Sequence, residues 1–287
     1  MKGVKMKNRH FTRFSLGCLL SLLTLLAGCF INIGSCAMQA KYERTVDLSA
    51  PLSPGSTFAA QTHNGSITIE GADVTECSLT ATIVARAATE EDAQDLAERI
   101  EITLEPSGDK LTAKIDKPRL RMNQSVNVSL DVGIPNEMDL ELRTHNGAVS
   151  LGQITGRISA TTHNGKVTAE HVSGTAVLQT RNGDIECAQL SGDAQLKTHN
   201  GSVRALYSES AEPVCDASIV TYNGGIEFTA PRDFSARVEA STHNGSVHTD
   251  LPITVVGKVS RNQVNGTVGT GQGKLHLETH NGPIRIR

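Results

Sequence analysis

Tryptophan is absent from the 287 residues, and aromatic residues make up only 3% of the chain. A protein with so few large rings is suited to a thin core of small apolar side chains. Catalytic signatures are missing as well, since there is no Gly-x-Ser-x-Gly, no phosphate-binding loop and no His-Glu-x-x-His. These absences disfavour the common hydrolase, nucleotide-binding and metalloprotease classes, and we expect neither catalytic residues nor a cofactor.

Long apolar runs are also absent, except for one near the start. A basic segment without acids precedes FSLGCLLSLLTLLAG, which is too short and too one-sidedly flanked for a spanning helix. The run ends in LAGC, which resembles a lipobox. We therefore predict a lipoprotein signal peptide at 1–28, acylation of Cys29 and a linker at 29–45. An ordinary secretory signal, or a cleavage site before Cys36, is the alternative.

The charge that remains after the leader is negative. Removing residues 1–28 leaves 22 basic and 30 acidic residues, a side-chain charge of −8. This balance argues against nucleic acid or anionic lipid as an electrostatic partner, because both require a basic face. Membrane attachment would then come from the N-terminal lipid. The sequence predicts a cell-envelope location, at the outer membrane on its periplasmic or surface side.

Asn-Gly recurs nine times along the chain. The asparagines are Asn64, Asn146, Asn164, Asn182, Asn200, Asn223, Asn244, Asn265 and Asn281, with gaps of 82, 18, 18, 18, 23, 21, 21 and 16 residues. Self-similarity at a period near twenty is typical of stacked-repeat folds. Each Asn-Gly is predicted to be a structural turn.

Comparison of the nine copies shows which positions are constant. Threonine lies two residues before asparagine in eight copies, with Gln263 as the exception, and Val or Ile always follows three residues later. The residue just before asparagine varies more. It is His63, His145, His163, His199, His243 or His280 in six copies and Arg181, Tyr222 or Val264 in the others.

The 18-residue unit NGKVTAEHVSGTAVLQTR indicates the fold. Asn-Gly tolerates a left-handed turn, Val and Ile favour strands, and Ser173-Gly174 predicts a second turn. Such a unit can bury its few apolar side chains only by stacking on neighbours. We predict a mainly β fold, a parallel β-solenoid (β-helix or β-roll) of roughly 18-residue coils. An antiparallel sandwich with Asn-Gly hairpins is the alternative.

Two regions follow from this pattern. Residues 46–135 contain the first repeat, strand-like segments and a helical segment capped by Thr89, which together predict an N-terminal α/β cap. Residues 136–287 hold the solenoid of Asn-Gly repeats. The chain stops at GPIRIR directly after the last repeat, so its final coil is predicted to be uncapped and to offer a self-association surface.

The segment VGIPNEMDLELRTHNGAVSLGQITGRISATTHNGKV, preceded by a strand and a Glu- and Ala-rich helix, resembles a bacterial candidate-adhesin β-strand-repeat family. That family is a domain of unknown function in exported and lipid-anchored proteins. The resemblance spans nearly the whole mature chain. It implies a β-solenoid displayed on the cell envelope and supplies no catalytic residues.

Three groups of residues are weak candidates for chemistry. His145 and His163, in adjacent coils, are the best placed for a metal ion, although Arg181 interrupts the row and we expect no metal site. Cysteines 36, 77, 187 and 215 allow three pairings, and Cys187 with Cys215 is a candidate disulfide. Acidic residues near the turns are scattered, Glu170, Asp184 and Glu186 among them.

These features predict a non-enzymatic, lipid-anchored envelope protein that offers an adhesin-like binding or scaffold surface. The candidate partners are the membrane, reached through the lipid, an envelope polysaccharide or protein, and a second copy of the chain. The first alternative function is a self-associating structural polymer. The second is a carbohydrate-active enzyme on a β-helix, which would use clustered carboxylates.

Overall fold

β-Strands dominate the computed structural model, which describes residues 40–255 and 260–287. The predicted signal peptide 1–28, the lipidation site Cys29 and Cys36 lie outside the described residues. The single helix of the described ranges is α1 (Glu90–Glu98). The strands are β1 (Ala40–Pro51), β2 (Thr57–Gln61), β3 (Ile67–Ala72), β4 (Glu76–Ala87), β5 (Glu101–Ser107), β6 (Lys110–Asp116), β7 (Ser125–Pro135), β8 (Asp139–Arg143), β9 (Val149–Thr161), β10 (Val167–Gln179), β11 (Ile185–Lys197), β12 (Val203–Tyr207), β13 (Asp216–Asn223), β14 (Ile226–Thr229), β15 (Ala236–Asn244), β16 (Val247–Thr249), β17 (Thr254–Val255), β18 (Gln263–Val268), β19 (Gly273–Asn281) and β20 (Ile284–Ile286).

Most strands pair in parallel, as the repeat predicts. In the central part, Val149 of β9 lies beside Val167 of β10, which in turn lies beside Ile185 of β11. Partners are thus offset by one sequence repeat, and the same residue type recurs at the same level. A mainly β, mostly parallel fold is confirmed. Within the described ranges no helix has the length and apolar character needed to cross a membrane.

The core is narrow and is made of small apolar side chains. Alternate residues of most strands are buried, and in the unit that begins at Asn164 the buried residues are Val167, Ala169, Val172, Ala176, Leu178 and Thr180. This is the inward-facing set that the sequence predicts. The strand also bends at and just before the predicted Ser173-Gly174 turn, because His171 adopts a φ of 53° and Gly174 a φ of 96°. Gln153 and Gln189 adopt the same conformation in β9 and β11.

Glycine follows asparagine at the corner that precedes β9, β10 and β11. It does so because the backbone of the neighbouring coil lies against the glycine Cα. A Cβ on Gly165 would lie 1.9 Å from the carbonyl oxygen of Gly147. A Cβ on Gly147 would lie equally close to the carbonyl oxygen of Gly65. Neither Gly147 nor Gly165 has a left-handed backbone, so the turn chemistry expected from Asn-Gly is wrong at these corners. Close packing between coils requires the glycine.

Eight of the nine asparagines occupy equivalent corners, and Asn265 does not. Asn265 lies inside β18, where it pairs with Glu239 of the antiparallel strand β15. The prediction of a turn at Asn265 is therefore wrong. This copy lacks the threonine two residues before asparagine, and Gln263 takes its place.

The C-terminal coil is not at the end of the stack. β19 pairs in parallel with both β13 and β15, and β20 pairs with both β14 and β16. Ile284 and Ile286 are fully buried. The prediction of an uncapped C-terminal coil is thus wrong, because the last segment of the chain inserts between two earlier coils. The terminal coil is instead the one formed by β15 and β16, and the antiparallel strand β18 covers β15.

The N-terminal end is finished by antiparallel strands and the helix. β7 pairs with β3, and beyond it follow β4 and then β1, while β6 and β5 extend the other side from β2. Helix α1 begins after Thr89, whose side chain accepts a hydrogen bond from the Asp92 amide, as the capping pattern predicts. The Arg44 guanidinium donates to the Ala97 carbonyl at the other helix end. Residues 40–45, predicted as linker, belong to β1.

We predict that Gly165→Ala destabilises the protein far more than Gly108→Ala. The new methyl group would force two coils apart, at a cost of about 3 kcal/mol in the free energy of unfolding. Gly108 has a φ of 62° with no atom within 4 Å of a Cβ, so its replacement should cost only about 1 kcal/mol through backbone strain. Urea unfolding measures both, and equal losses would contradict the close-packing explanation.

Candidate functional site

Three rows of side chains run along the Asn-Gly corner of the stacked coils. Each coil contributes one residue to each row, and these three residues form one rung. We call this surface the ladder face. Its asparagine row is Asn64, Asn146, Asn164, Asn182, Asn200, Asn223, Asn281 and Asn244, in the spatial order of the coils. Its threonine row is Thr62, Thr144, Thr162, Thr180, Thr198, Thr221, Thr279 and Thr242. Between them lies the middle row, His63, His145, His163, Arg181, His199, Tyr222, His280 and His243.

The asparagine row is a continuous chain of amide hydrogen bonds. Each Nδ2 donates to the Oδ1 of the preceding coil at 2.7–2.8 Å, as Asn164 does to Asn146. At the N-terminal end the Asn64 amide donates to the Val126 carbonyl at 3.3 Å. All amides therefore point in one direction, which orders the exposed corner and holds every coil in register.

The threonine row explains why threonine recurs two residues before asparagine. Each hydroxyl donates to a backbone carbonyl of the neighbouring coil, and in seven of the eight coils this carbonyl belongs to the corner glycine. Thr162, for example, donates to Gly147 at 2.9 Å and is 2% exposed. A buried hydroxyl and a partly buried carbonyl are both costly to leave unpaired, so this position requires a small side chain with a hydroxyl group.

The middle row is a stack of flat side chains. Adjacent rings lie with centroids 4.6–5.0 Å apart, which is the spacing of the strands beneath them. Arg181 continues the stack, with its Nη1 atom 3.5 Å from Nε2 of His163. Because the ring faces cover one another, the row presents ring edges and the Tyr222 side chain to solvent, except that Nδ1 of His163 is buried without a hydrogen-bond partner. These edges can donate and accept hydrogen bonds.

Two shallow grooves follow the ladder face on the threonine side. One has a volume of about 810 Å³ and extends over the coils from Arg181 to His243, and the other has about 470 Å³ and extends from His63 to Arg181. Both include Gln179, Thr180 and Arg181, so they continue into each other. The grooves are open to solvent and are long rather than deep, a shape suited to an extended molecule.

The outer side of the groove is formed by the residue three positions before each asparagine. These residues are Gln61, Arg143, Thr161, Gln179, Lys197, Val220, Glu278 and Ser241. Arg143, Arg181 and Lys197 form no ion pair within the described ranges. Since Glu278 is the one carboxylate among the groove residues, the groove carries positive charge on a protein that is negative overall.

His63 lies at the N-terminal end of the middle row. Partial burial, the nearby Lys117 ammonium group and the neighbouring His145 ring all lower its pKa below the ordinary value of 6.5. The folded state therefore holds fewer protons on His63 than the unfolded chain in mildly acidic solution.

The weak metal candidates His145 and His163 are stacked neighbours with ring centroids 4.6 Å apart. Ring nitrogens in stacked imidazoles point sideways in parallel planes, so they do not converge on one ion. Across residues 40–255 and 260–287, no group of three or more His, Cys, Asp or Glu side chains is placed to hold a metal ion.

The candidate disulfide is not formed. Cys187 and Cys215 are free, buried thiols, as is Cys77. Cys187 precedes the bend of β11 at Gln189, whereas Cys215 leads into β13, which pairs with β11 after that bend. Burial raises the pKa of Cys187 to about 12 and that of Cys215 to about 11, so both thiols stay protonated and unreactive.

Most of the acidic residues considered for catalysis already have a hydrogen-bond or ion-pair partner. Glu186 pairs with Lys166, and Asp184 accepts a hydrogen bond from the Ser202 amide. Glu170 lies on the exposed surface, 3.8 Å from His171. Glu227, in the groove that also holds Asp184 and Glu186, pairs with Arg204 and Arg287.

The groove residues were missed in the sequence because they differ from coil to coil. A usable signal existed, since residues three before asparagine precede a buried threonine and period-two alternation must expose them. Arg143 and Lys197 both occupy this position.

Comparison with known proteins relates the chain to one family. The model of the family described as Toastrack DUF4097 matches residues 55–287. No curated protein matches the chain.

Among solved structures, a candidate adhesin from Bacteroides fragilis is 14% identical with a TM-score of 0.45, covering 85% of this chain and 97% of its own. A candidate cell adhesion protein from Clostridium sporogenes is 10% identical with a TM-score of 0.35, covering 84% and 97%. A candidate lipid-binding protein from Parabacteroides distasonis is 10% identical with a TM-score of 0.33, covering 85% and 96%. These values are too low to transfer any activity.

Thr162→Val should destabilise the protein by about 1 kcal/mol, because the partly buried Gly147 carbonyl loses its hydroxyl donor. Thr162→Ser keeps the donor and should cost less than half of that. The exposed neighbour Thr161 gives the control, since Thr161→Val removes no buried hydrogen bond. Equal unfolding midpoints for the Val and Ser variants at position 162 would show that the hydroxyl group does not matter.

His63 should titrate below pH 6.5, and Lys117→Gln should move its pKa upward by removing a nearby positive charge. The contribution of His63 to stability should be present above pH 6.5 and should decline as the pH falls below that value, because the unfolded chain takes up the proton first. Proton NMR of the His63 ring follows the titration, with Lys274→Gln as a distant control. A midpoint that Lys117→Gln leaves unchanged would contradict this assignment.

Proposed function

Because the chain belongs to the Toastrack DUF4097 family, we propose that it is a non-enzymatic, lipid-anchored protein of the cell envelope whose ladder face binds an extended polysaccharide. The lipid would be attached at Cys29, with the outer membrane as the site of attachment. The adhesin-like role would consist of polysaccharide binding by the ladder face, a surface that repeats with every coil.

The continuous groove along the ladder face carries this proposal. A linear polymer that lies in the groove meets the same kinds of groups once per coil, at intervals of about 4.8 Å. The imidazole groups of the middle row, the Tyr222 hydroxyl and the side-chain amides of Gln61 and Gln179 can bond sugar hydroxyls, and no single rung needs to bind tightly. The summed contacts of several rungs would give useful affinity.

The positive charge of the groove favours acidic polysaccharides as the class of ligand. Arg143, Arg181 and Lys197 are available because no carboxylate pairs with them in the described residues. Guanidinium groups bind carboxylate or phosphate in a bidentate manner, which suits a glycan that bears either group.

The finer architecture supports a display role. We assign residues 136–287 to coils of roughly 18 residues and residues 46–135 to an α/β cap that protects the first coil. The antiparallel strands β4 and β1, together with α1, cover the parallel strands at the N-terminal end, so the open sheet edge there is that of β1.

The pairing of the carboxylates favours binding over catalysis. Glycoside cleavage needs one protonated carboxylic acid and a second, free carboxylate. In the groove lined by Asp184, Glu186 and Glu227, each acid already has a hydrogen-bond or ion-pair partner.

Self-association remains the second candidate function, and β1 is the observation that favours it. Among the described strands β1 pairs with β4 alone, so one edge of its 12 residues is open. A second copy could pair with that edge.

Binding of the full chain to purified acidic and neutral envelope polysaccharides tests the proposal. Arg181→Gln together with Lys197→Gln should weaken binding of the acidic polymer by about tenfold or more. Arg237→Gln with Lys274→Gln removes the same charge away from the groove and should leave binding unchanged.

Equal loss in both double variants would point to net charge alone and would refute the groove. Self-association without glycan binding would support the scaffold function. The measurement is made with zinc and with a chelator, and zinc dependence would revive the His145–His163 pair as a site. Release of shortened glycan that Glu186→Gln abolishes would revive the enzyme.

A further inference from the structure

A basic and apolar loop projects from the N-terminal end of the solenoid. Residues 117–124, KPRLRMNQ, connect β6 to β7 and contain Lys117, Arg119 and Arg121 without any acidic residue. Leu120 is 38% exposed and Met122 is 93% exposed. Six large hydrophobic side chains are exposed in the described ranges, and two of them fall within these eight residues. Cations interleaved with exposed apolar side chains are typical of surfaces that bind the membrane interface.

The tip of this loop has a defined shape. The Gln124 amide donates to the Arg121 carbonyl at 3.1 Å, and the Arg121 amide donates to the Gln124 side-chain oxygen at 2.9 Å. Asn123 adopts a left-handed φ of 70°, as tight turns require. Met122 is therefore held outward at the tip of a turn.

The loop lies at the same edge as the start of the described chain. Ser125, which follows the loop, pairs with Arg86 of β4, and the adjacent Ala87 pairs with Ala40 of β1. Two strand spacings, about 10 Å, separate β7 from β1. The 11 residues from Cys29 to Ala40 can span at most about 40 Å. A lipid on Cys29 would keep this edge close to the membrane.

We infer that loop 117–124 docks on an anionic phospholipid surface, with its three cations at the headgroups and Leu120 and Met122 in the interfacial region. The inference rests on the proposed lipid anchor for proximity. The docked loop and the lipid together would attach the protein to the membrane at two points, whereas the lipid alone would attach it at one. The solenoid, whose ladder face begins beside the loop at His63, would then extend away from the membrane.

Opposing charge nearby does not prevent this docking. The first turn of α1 holds Glu90, Glu91 and Asp92, and it follows β4 at the same edge. The whole mature chain is also negative. Repulsion from these groups is screened beyond about 8 Å at physiological ionic strength, whereas the loop cations act at contact distance.

The lack of tryptophan supplies a direct test, because Met122→Trp introduces the sole tryptophan of the chain. The full chain is reconstituted on vesicles of phosphatidylglycerol or of phosphatidylcholine, in each case with a brominated lipid as quencher. On phosphatidylglycerol, the fluorescence should shift to the blue and fall by about twofold. Val214→Trp, at an exposed position in the loop before β13, should show neither change.

Removal of the loop cations separates docking from tethering. Lys117→Gln, Arg119→Gln and Arg121→Gln together, added to Met122→Trp, should abolish the quenching. The matched control removes Arg232, Arg237 and Lys274 instead and should preserve it. Protein that floats with the vesicles but shows no quenching would overturn the docking inference and leave the lipid anchor intact. Equal quenching on both lipids, unaffected by the triple variant, would also overturn it. Quenching on phosphatidylglycerol that survives Cys29→Ser would support docking independently of the anchor.

Discussion

The approach of each coil to the next at its glycine is the constraint on which the structure depends. The carbonyl of one corner glycine occupies the space where a Cβ of the following glycine would be. The same carbonyl then receives the threonine hydroxyl, as Gly147 does from Thr162. Once this distance is set, the asparagine amides fall within hydrogen-bonding distance and the imidazoles fall within stacking distance. One contact thus aligns three rows of side chains and produces a straight, regular surface.

That regularity leaves variation for the exposed positions. Corner residues contact the neighbouring coil, so they repeat, whereas the residues three before asparagine line the groove and vary from coil to coil. Charge is distributed accordingly. Cations lie in the groove and in loop 117–124, while the chain as a whole is acidic. A net charge computed over the sequence hides both of these local surfaces, which are the parts of the molecule best suited to contact anionic ligands.

The periodic part of the fold could be predicted from the sequence and the aperiodic part could not. The even spacing of Asn146, Asn164 and Asn182 indicates parallel stacking, because a unit with so few apolar residues can bury them only against neighbouring units. The order of the later coils carries no such signal, since β19 and β15 have equally suitable apolar patterns and tertiary pairing decides their order. Asn265 could have been recognised from its missing threonine. The disulfide could not be judged from spacing, because Cys187 and Cys215 lie on different sides of a bend that begins at Gln189, a residue type that does not signal a turn.

The insertion of β19 and β20 between earlier coils bears on how the protein is made. β13 and β14 have their final neighbours only after the C-terminal strands β19 and β20 have been synthesised. The parallel sheet beyond β12 therefore cannot be completed in the order of the chain. An evolving chain could lengthen by duplicating central units such as β10 and β11, but a repeat appended after Arg287 would follow β20, both of whose edges are already paired.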